Sequence, residues 1–183
     1  MKETGERLNH LILKILDVDA IESKKMNMVS ESLNLSQIFE HVATRFMKEA
    51  ARKKITISKQ ISPDVHGLGD KNYLEQILEN LISNAIKFSP HNSTIYLSLE
   101  KNGKQVVFEI KDEGPGLTDQ DKQKLFGKYQ KLSARPTGGE SSTGLGLSIT
   151  KKFVEAMKGK IWCESENNKG ASFFVALPDQ EAG

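Results

Sequence analysis

Three short segments of this chain carry side chains and glycines that suit the parts of a magnesium-nucleotide. In the first, Asn80, Asn84 and Lys87 are spaced four and then three residues apart, so on a helix they share one stripe. Amide oxygens can join water and phosphate oxygens around Mg²⁺, and a lysine adds positive charge for phosphate. Taken alone, this stripe is more typical of the solvated side of an amphipathic helix.

The second segment is a glycine-containing turn that follows an alternating apolar run. Asp112 ends that run, and Gly114 and Gly116 come after it with Pro115 between them. Glycines allow the backbone to lie close to a ligand, and a carboxylate at the base of a cleft can accept a hydrogen bond from an amine such as adenine N6. A plain turn is the alternative for this segment in isolation.

The third segment, Thr-Gly-Leu-Gly-Leu at residues 143–147, leads into a predicted helix. Its amide groups can converge on anionic oxygens at the helix N-terminus. The two commonest phosphate-binding motifs, the Walker loop and the Gly-x-Gly-x-x-Gly fingerprint, are absent from the chain. The three segments together, in this order, therefore predict a nucleotide site of another type.

The apolar pattern predicts the elements that must position these segments. Ser36 and Asp70 are the expected N-caps of two of the helices. Residues 133–142 contain no large apolar side chain and include two adjacent glycines, which favours a mobile lid. Predicted helices cover residues 6–21, 36–51, 70–88, 119–125 and 146–157, and predicted strands cover residues 55–61, 65–68, 94–100, 105–111, 160–166 and 171–177.

This order of elements favours an α+β fold over a doubly wound parallel sheet. Helices and strands occur in clusters, and a short loop at residues 101–104 suits an antiparallel hairpin. We expect a two-layer sandwich: a mixed, mostly antiparallel sheet with helices on one face, preceded by an N-terminal helix. The apolar stripe of that first helix, at residues 6–21, predicts that it packs against another helix.

Composition limits the possible partners. The 183 residues include 26 Lys and Arg against 24 Asp and Glu, a formal net charge of +2, which argues against nucleic acid as the main partner. Cys163 is the one cysteine, so no disulfide can form within the chain. No apolar run has membrane-spanning length and no signal-peptide layout is present, so we expect a cytoplasmic location, with membrane anchoring of a longer protein left open.

The motifs in their order resemble the N, G1, F and G2 boxes of sensor histidine kinases. The matching segments are residues 80–88, 112–117, 125–129 and 143–147, and residues 170–178 resemble the last strand of that family. The resemblance covers about residues 30–178. Upstream, residues 16–23 resemble the end of the second dimerisation helix, which implies dimerisation helix and linker at residues 1–28 and a catalytic domain at residues 29–181.

The resemblance implies a Bergerat-type ATP-binding fold with ATP and Mg²⁺ as cofactors. Asn84 would hold Mg²⁺ with help from Asn80, Lys87 and Lys131 would contact phosphate, and Phe88 and Asp112 would bind the adenine. Lys131 stands where relatives often have an arginine. Ser172 is expected to reach adenine through water. The remaining residues implied to surround the nucleotide are Gly114, Gly116, Leu117, Tyr129, Thr143, Gly144, Leu145, Gly146 and Leu147.

One family signature is missing. No histidine is followed at once by an acidic residue, because His10, His41, His66 and His91 precede Leu, Val, Gly and Asn. We therefore expect a donor domain that phosphorylates a histidine on dimerisation helices outside this chain, for relay to a response regulator receiver domain. The full-length protein is expected to be a homodimer, and this chain either a monomer or self-associating through its first helix.

Two other functions fit the same fold. An ATPase or a protein-serine kinase is the first alternative, but hydrolysing relatives carry a glutamate where this chain has Asn80, and an amide cannot accept a proton from water. A non-catalytic ATP-sensing module is the second alternative. It would predict a damaged motif, whereas each box is intact.

Overall fold

The computed structural model describes residues 28–130, 132–138 and 144–180. Its architecture is one five-stranded sheet with helices packed on one face and a small two-stranded ladder beside them. In chain order, the elements are β1 Glu31–Asn34, α1 Leu35–Arg52, β2 Thr56–Ile61, β3 His66–Gly69, α2 Lys71–Phe88, β4 Thr94–Asn102, β5 Gln105–Asp112, α3 Asp119–Lys124, α4 Gly146–Ala156, β6 Lys160–Ser165 and β7 Ala171–Pro178.

The large sheet has the strand order β2-β4-β5-β7-β6. Strand β2 pairs parallel with β4, and the other three pairings are antiparallel. Strands β4 and β5 form the hairpin that the sequence predicted, with Asn102 opposite Gln105. The sheet is therefore mixed and mostly antiparallel, and the predicted two-layer α+β fold is confirmed.

The core lies between the helices and the inner face of the sheet. In β4, Ile95, Leu97 and Leu99 are at most 1% exposed, because alternate side chains of a strand point to the same face. Phe39 of α1 packs edge-to-face on Phe108 of β5, with ring centroids 5.3 Å apart. This packing holds α1 and α2 in fixed positions over the strands that carry the predicted site.

The helix that carries the amide stripe has the N-cap that the sequence predicted. The Asp70 carboxylate accepts hydrogen bonds from the N–H groups of Asn72 and Tyr73, which satisfies donors that have no partner within the helix. The helix ends at Phe88, where Ser89 and Pro90 turn the chain away. Its predicted bounds are confirmed to within a residue.

The predicted cap of α1 was wrong. Asn34 caps this helix by accepting a hydrogen bond from the Gln37 N–H, so the helix starts one residue before Ser36. Ser36 is buried, and its hydroxyl donates to the Ser62 carbonyl at 2.7 Å and accepts from the Val65 N–H at 2.9 Å. The hydroxyl serves a tertiary contact that local sequence spacing cannot reveal.

Some predictions fall outside the described residues. The predicted first helix at residues 6–21 and most of the predicted segment at residues 1–28 lie there, and the predicted lid is described only as far as residue 138. The domain boundary therefore stays a prediction. Within the described ranges, no helix combines the length and the apolar character needed to cross a membrane.

Candidate functional site

A cleft that is open at its mouth lies between the C-terminal half of α2 and the ends of β5 and β7. Six residues predicted for the nucleotide site line it: Asn84, Phe88, Asp112, Gly116, Leu117 and Leu147. Six further lining residues were not predicted: Pro115, Leu125, Leu132, Ala134, Ala171 and Phe173. All six are apolar; Pro115, Leu125, Ala171 and Phe173 lie within the motif segments, whereas Leu132 and Ala134 lie outside them. The cleft has apolar walls with a few polar groups, as small-molecule sites generally do.

Asp112 is the buried charged group of this cleft. It is the last residue of β5 and only 5% exposed, and its Oδ1 accepts a hydrogen bond from the Gly114 N–H at 2.8 Å. Burial raises the pKa of its carboxyl from 3.8 to about 6, and hydrogen bonds from the backbone of Gly114 and Ala171 act in the opposite direction. At neutral pH the group is a carboxylate in an apolar wall, suited to a ligand amine.

Two glycines allow the backbone segments around Asp112 to cross at contact distance. Both have a left-handed φ, +68° at Gly116 and +78° at Gly170. A Cβ on Gly116 would lie 2.0 Å from the Glu166 carbonyl oxygen, and one on Gly170 would lie 2.0 Å from the Asp112 carbonyl oxygen. No other residue type fits either crossing, so this side of the cleft is fixed by the backbone itself.

Residues 132–138, here termed the strap, cross the opposite side of the cleft. Leu132 and Ala134 line the cleft from this segment. At the start of the strap, the Ser133 N–H donates to Asp121 Oδ1 at 2.9 Å, and the Ser133 hydroxyl donates to Asp121 Oδ2. The carboxylate of α3 thereby anchors one end of the strap.

The other end of the strap is anchored at the C-terminus of α2. The Thr137 N–H donates to the Lys87 carbonyl at 3.1 Å, and the Thr137 hydroxyl donates to the Ser89 carbonyl at 2.6 Å. Lys53, only 8% exposed, donates to Thr137 Oγ1 at 2.6 Å and to the Ile86 carbonyl at 2.7 Å. The ammonium thus serves terminal carbonyls of a helix, which have no partner within it. Sequence reasoning missed Lys53, and its position in a run of basic residues gives no signal.

The residues predicted to bind magnesium and phosphate lie on α2 and at the start of α4, and this part of the cleft is here termed its phosphate side. Asn84 lines the cleft, whereas the Asn80 side chain lies against α4 and donates from Nδ2 to Thr150 Oγ1 at 2.8 Å. Gly144, with φ +68°, packs on the backbone of residues 129–130, and Leu145 is buried. Gly146 contacts the Asn80 amide. A direct role of Asn80 at magnesium stays a prediction.

Other predicted residues lie away from the cleft or outside the described residues. The Lys87 ammonium is 5.9 Å from the Phe88 ring centroid, within cation–π distance, and is not among the lining residues of this cleft. Tyr129 is 67% exposed. Lys131 and Thr143 lie outside the described residues.

The structure does not bring Ser172 into the cleft. Because strand side chains alternate between faces, Ala171 and Phe173 of β7 line the cleft, while Ser172 lines a separate depression with Lys111 and Glu164. Ser172 is opposite both of these residues in the sheet. The predicted water-mediated contact of Ser172 with adenine therefore has no support in this geometry, and Ala171 occupies the position that faces the cleft.

Comparisons with known proteins agree with this geometry. The family model described as histidine kinase-, DNA gyrase B- and HSP90-like ATPase matches residues 69–181. The circadian input-output histidine kinase CikA of Synechococcus elongatus is 32% identical over 182 residues, covering 97% of this chain and 24% of CikA. The catalytic domain of the histidine kinase ThkA is 28% identical with a TM-score of 0.73, covering 83% of this chain and 97% of that one.

A full-length relative has been solved with a nucleotide analogue. The structure of full-length ShkA in complex with AMPPNP is 25% identical with a TM-score of 0.83, covering 97% of this chain and 37% of that chain. The present chain spans between 24% and 31% of the length of the curated relatives CikA, WalK and SrrB. The similarity therefore concerns one part of these larger proteins.

Proposed function

The chain belongs to the family of histidine kinase-, DNA gyrase B- and HSP90-like ATPases, and from that premise we propose that it is the catalytic domain of a sensor histidine kinase. In this proposal it binds Mg-ATP in the cleft beside α2 and transfers the γ-phosphoryl group to a histidine. The acceptor histidine lies on dimerisation helices of the full-length homodimer, which passes the phosphoryl group to an aspartate of a response regulator in the cytoplasm. The named relatives that match the chain over nearly its whole length support this choice.

The buried Asp112 carboxylate is the observation that carries the ATP assignment. It is 5% exposed in a cleft with mostly apolar walls, and one of its oxygens already accepts the Gly114 N–H. A buried carboxylate is costly unless further donors reach it, and the N6 amine of adenine supplies such a donor. Phe88, Leu117 and Phe173 provide apolar surface for the faces of the ring.

The residues present fit Mg²⁺ held largely by the nucleotide. Within the described ranges, no group of three or more His, Cys, Asp or Glu side chains could hold a metal ion by itself. The amide of Asn84, which lines the cleft, offers one oxygen ligand, in keeping with an ion that takes few protein ligands and keeps water and phosphate around it. When bound, Mg²⁺ would neutralise charge on the transferred phosphoryl group.

The residues near Asn84 favour transfer to a histidine over hydrolysis. A neutral imidazole nitrogen has a lone pair ready for attack, so the chain needs to orient the phosphates and needs no general base. Water would need a base, and Asn80 occupies the position of the glutamate found in hydrolysing relatives. Its amide carries no proton-accepting group of suitable pKa, and its Nδ2 already donates to Thr150.

Phosphoryl transfer in trans is the experiment that tests this proposal. The chain is incubated with γ-labelled ATP, Mg²⁺ and a dimerisation-helix hairpin of a sensor histidine kinase that carries the acceptor histidine. We expect acid-labile label on the hairpin and little free phosphate. Calorimetry that shows no binding of millimolar Mg-ATP to the chain would refute the proposal outright, and label released only as free phosphate would favour the ATPase alternative.

The adenine assignment is tested by the variant Asp112→Asn. The substitution keeps the size of the side chain and replaces one acceptor oxygen by a donor, so it should weaken ATP binding by about tenfold, the cost of one lost hydrogen bond to a charged group. The binding of GTP should weaken much less, because guanine presents a carbonyl in place of this amine. An unchanged preference for ATP over GTP would remove Asp112 from this role and leave phosphoryl transfer untouched.

A further inference from the structure

We propose that Thr150 is a positioning residue that fixes the phosphate side of the cleft through a hydrogen bond to Asn80. The inference rests on the proposed function, because it concerns the nucleotide that the cleft would hold. Asn80 and Thr150 are 70 residues apart in sequence, and their side chains join α2 to α4 with Asn80 Nδ2 donating to Thr150 Oγ1 at 2.8 Å. The pair thus links α2, which carries Asn84, to α4, which begins at Gly146.

The hydrogen bonds of Thr150 determine which way the Asn80 amide faces. The Thr150 hydroxyl donates its hydrogen to the Gly146 carbonyl at 3.0 Å, so the lone pairs of the same oxygen remain for the Asn80 amide. Only the NH₂ group of Asn80 can donate there. The amide oxygen of Asn80 is therefore directed away from Thr150, toward Gly146.

Gly146 closes the contact from the other side. A Cβ on Gly146 would lie 2.4 Å from Asn80 Oδ1, so any side chain at position 146 would displace the Asn80 amide. Thr150 is 1% exposed, which keeps water from replacing its hydroxyl. The Asn80 side chain is thus held between Gly146 and Thr150, and the first turn of α4 cannot shift along α2 without breaking this contact.

The first turn of α4 is the part of the cleft that this contact would place. Within the described residues, no side chain caps the helix, so its first N–H groups have no side-chain acceptor of that kind. Leu147 of the same turn lines the cleft, and Asn84 lies one helical turn after Asn80. A fixed distance between α2 and α4 would therefore hold the predicted magnesium ligand and the predicted phosphate-binding turn in register.

Two variants distinguish a positioning role of the Thr150 hydroxyl from simple filling of space by the Thr150 side chain. Thr150→Val keeps the volume of the side chain and removes the hydroxyl, whereas Thr150→Ser keeps the hydroxyl and removes a methyl group. If the hydroxyl positions the phosphate side, T150V should impair ligands with phosphates and spare the nucleoside. If the methyl group only fills space, T150S should be the more damaging change.

The test measures binding of Mg-ATP by calorimetry and of adenosine by NMR titration for wild type, T150V and T150S. We expect T150V to weaken Mg-ATP binding about tenfold, the effect of one lost hydrogen bond, with adenosine binding unchanged. T150S should bind both ligands as the wild type does. Phosphoryl transfer to the acceptor hairpin should fall with T150V in proportion.

Several results would overturn the inference. They are an equal loss for both ligands, no loss for either, and a T150S variant as weak as T150V. A wild-type chain that binds no Mg-ATP refutes the proposed function itself, whereas a wild-type chain that binds normally beside an unaffected T150V refutes only the role of Thr150. If T150V yields too little folded protein, Thr150→Ala is compared with T150S, because these two variants lack the same methyl group and differ only in the hydroxyl.

Discussion

The two walls of the cleft are held in place by different kinds of contact. On the sheet side, backbone segments cross at Gly116 and Gly170, where a Cβ would lie 2.0 Å from a carbonyl oxygen. On the strap side, the Asp121 carboxylate accepts hydrogen bonds from Ser133 at one end of residues 132–138, and Lys53 donates to Thr137 at the other end. The sheet side is part of the core, whereas the strap depends on a few polar contacts.

This difference indicates how the site can be both specific and accessible. Backbone that crosses within the core opens only with unfolding, so the Asp112 carboxylate, the proposed acceptor for adenine, should stay in place with or without ligand. Hydrogen bonds at the edge of a cleft are worth about 1 kcal/mol each, so a strap held by several of them can open at a cost far below that of unfolding. The strap is thus the side through which a nucleotide would enter.

The largest effect on stability is expected from adding a methyl group where backbone segments cross on the sheet side of the cleft. Gly170→Ala should lower the free energy of unfolding by about 4 kcal/mol, because the Cβ meets the Asp112 backbone and the left-handed φ adds strain. Gly103→Ala is the matched control. Gly103 also has a left-handed φ, +60°, but nothing lies within 4 Å of the added Cβ, so the expected loss is about 1 kcal/mol.

Urea unfolding followed by circular dichroism measures both glycine variants. The difference between them isolates the cost of the backbone crossing, because the strain of a left-handed φ is common to both. Equal losses would mean that the crossing is not tight, and the contrast between the two walls would then disappear.

The sheet side was largely predictable from sequence because its chemistry is local. Asp112, Gly114 and Gly116 are close together in one turn, and glycines required by close backbone approach are visible as a motif. Alternating apolar residues likewise predicted β4 and β5, and the helical period predicted α2 with its cap at Asp70.

The strap side and the face of β7 could not be predicted in the same way. Lys53 acts on Thr137, which is 84 residues away, and nothing in its neighbourhood distinguishes it from the lysine beside it. Ser172 lines a depression apart from the cleft, and the pattern of a nearly continuous apolar strand does not reveal which set of alternate residues faces a ligand. Both cases depend on tertiary contacts between distant segments.

An intermediate effect is expected from removing the buried ammonium of the strap side. Lys53→Met keeps most of the side-chain length but leaves the Ile86 carbonyl and the Thr137 hydroxyl without this donor, so stability should fall by about 2 kcal/mol. The strap should also become more accessible to protease. Lys48→Met, at an exposed position of the helix α1 that Lys53 caps, is the control and should change stability by less than about 0.5 kcal/mol.

Proteolysis at low protease concentration, with the cleavage site identified by mass spectrometry, separates opening of the strap from unfolding. We expect K53M to be cut near residues 132–138 before any site in the core. A variant that loses stability without earlier cleavage of the strap would show that Lys53 supports only α1 and α2, and would place both walls in one cooperative unit.

The smallest effect is expected at the other end of the strap, and it should depend on pH. Burial raises the pKa of the Asp121 carboxyl, but hydrogen bonds from Ser133 and Thr118 outweigh burial and lower it from 3.8 to about 2. A lowered pKa stabilises the folded chain above pH 3.8, and this stabilisation is lost as the pH falls through about 2.

Ser133→Ala removes the hydroxyl and keeps the backbone N–H, so it should cost about 1 kcal/mol at pH 7. The cost should shrink as the pH falls to about 2, where Asp121 becomes protonated in the folded wild type and the same bond weakens. Ser58→Ala, at an exposed position of β2, is the control in urea unfolding at both pH values, and a cost of S133A that does not vary with pH would exclude the Asp121 carboxylate as the anchor of the strap.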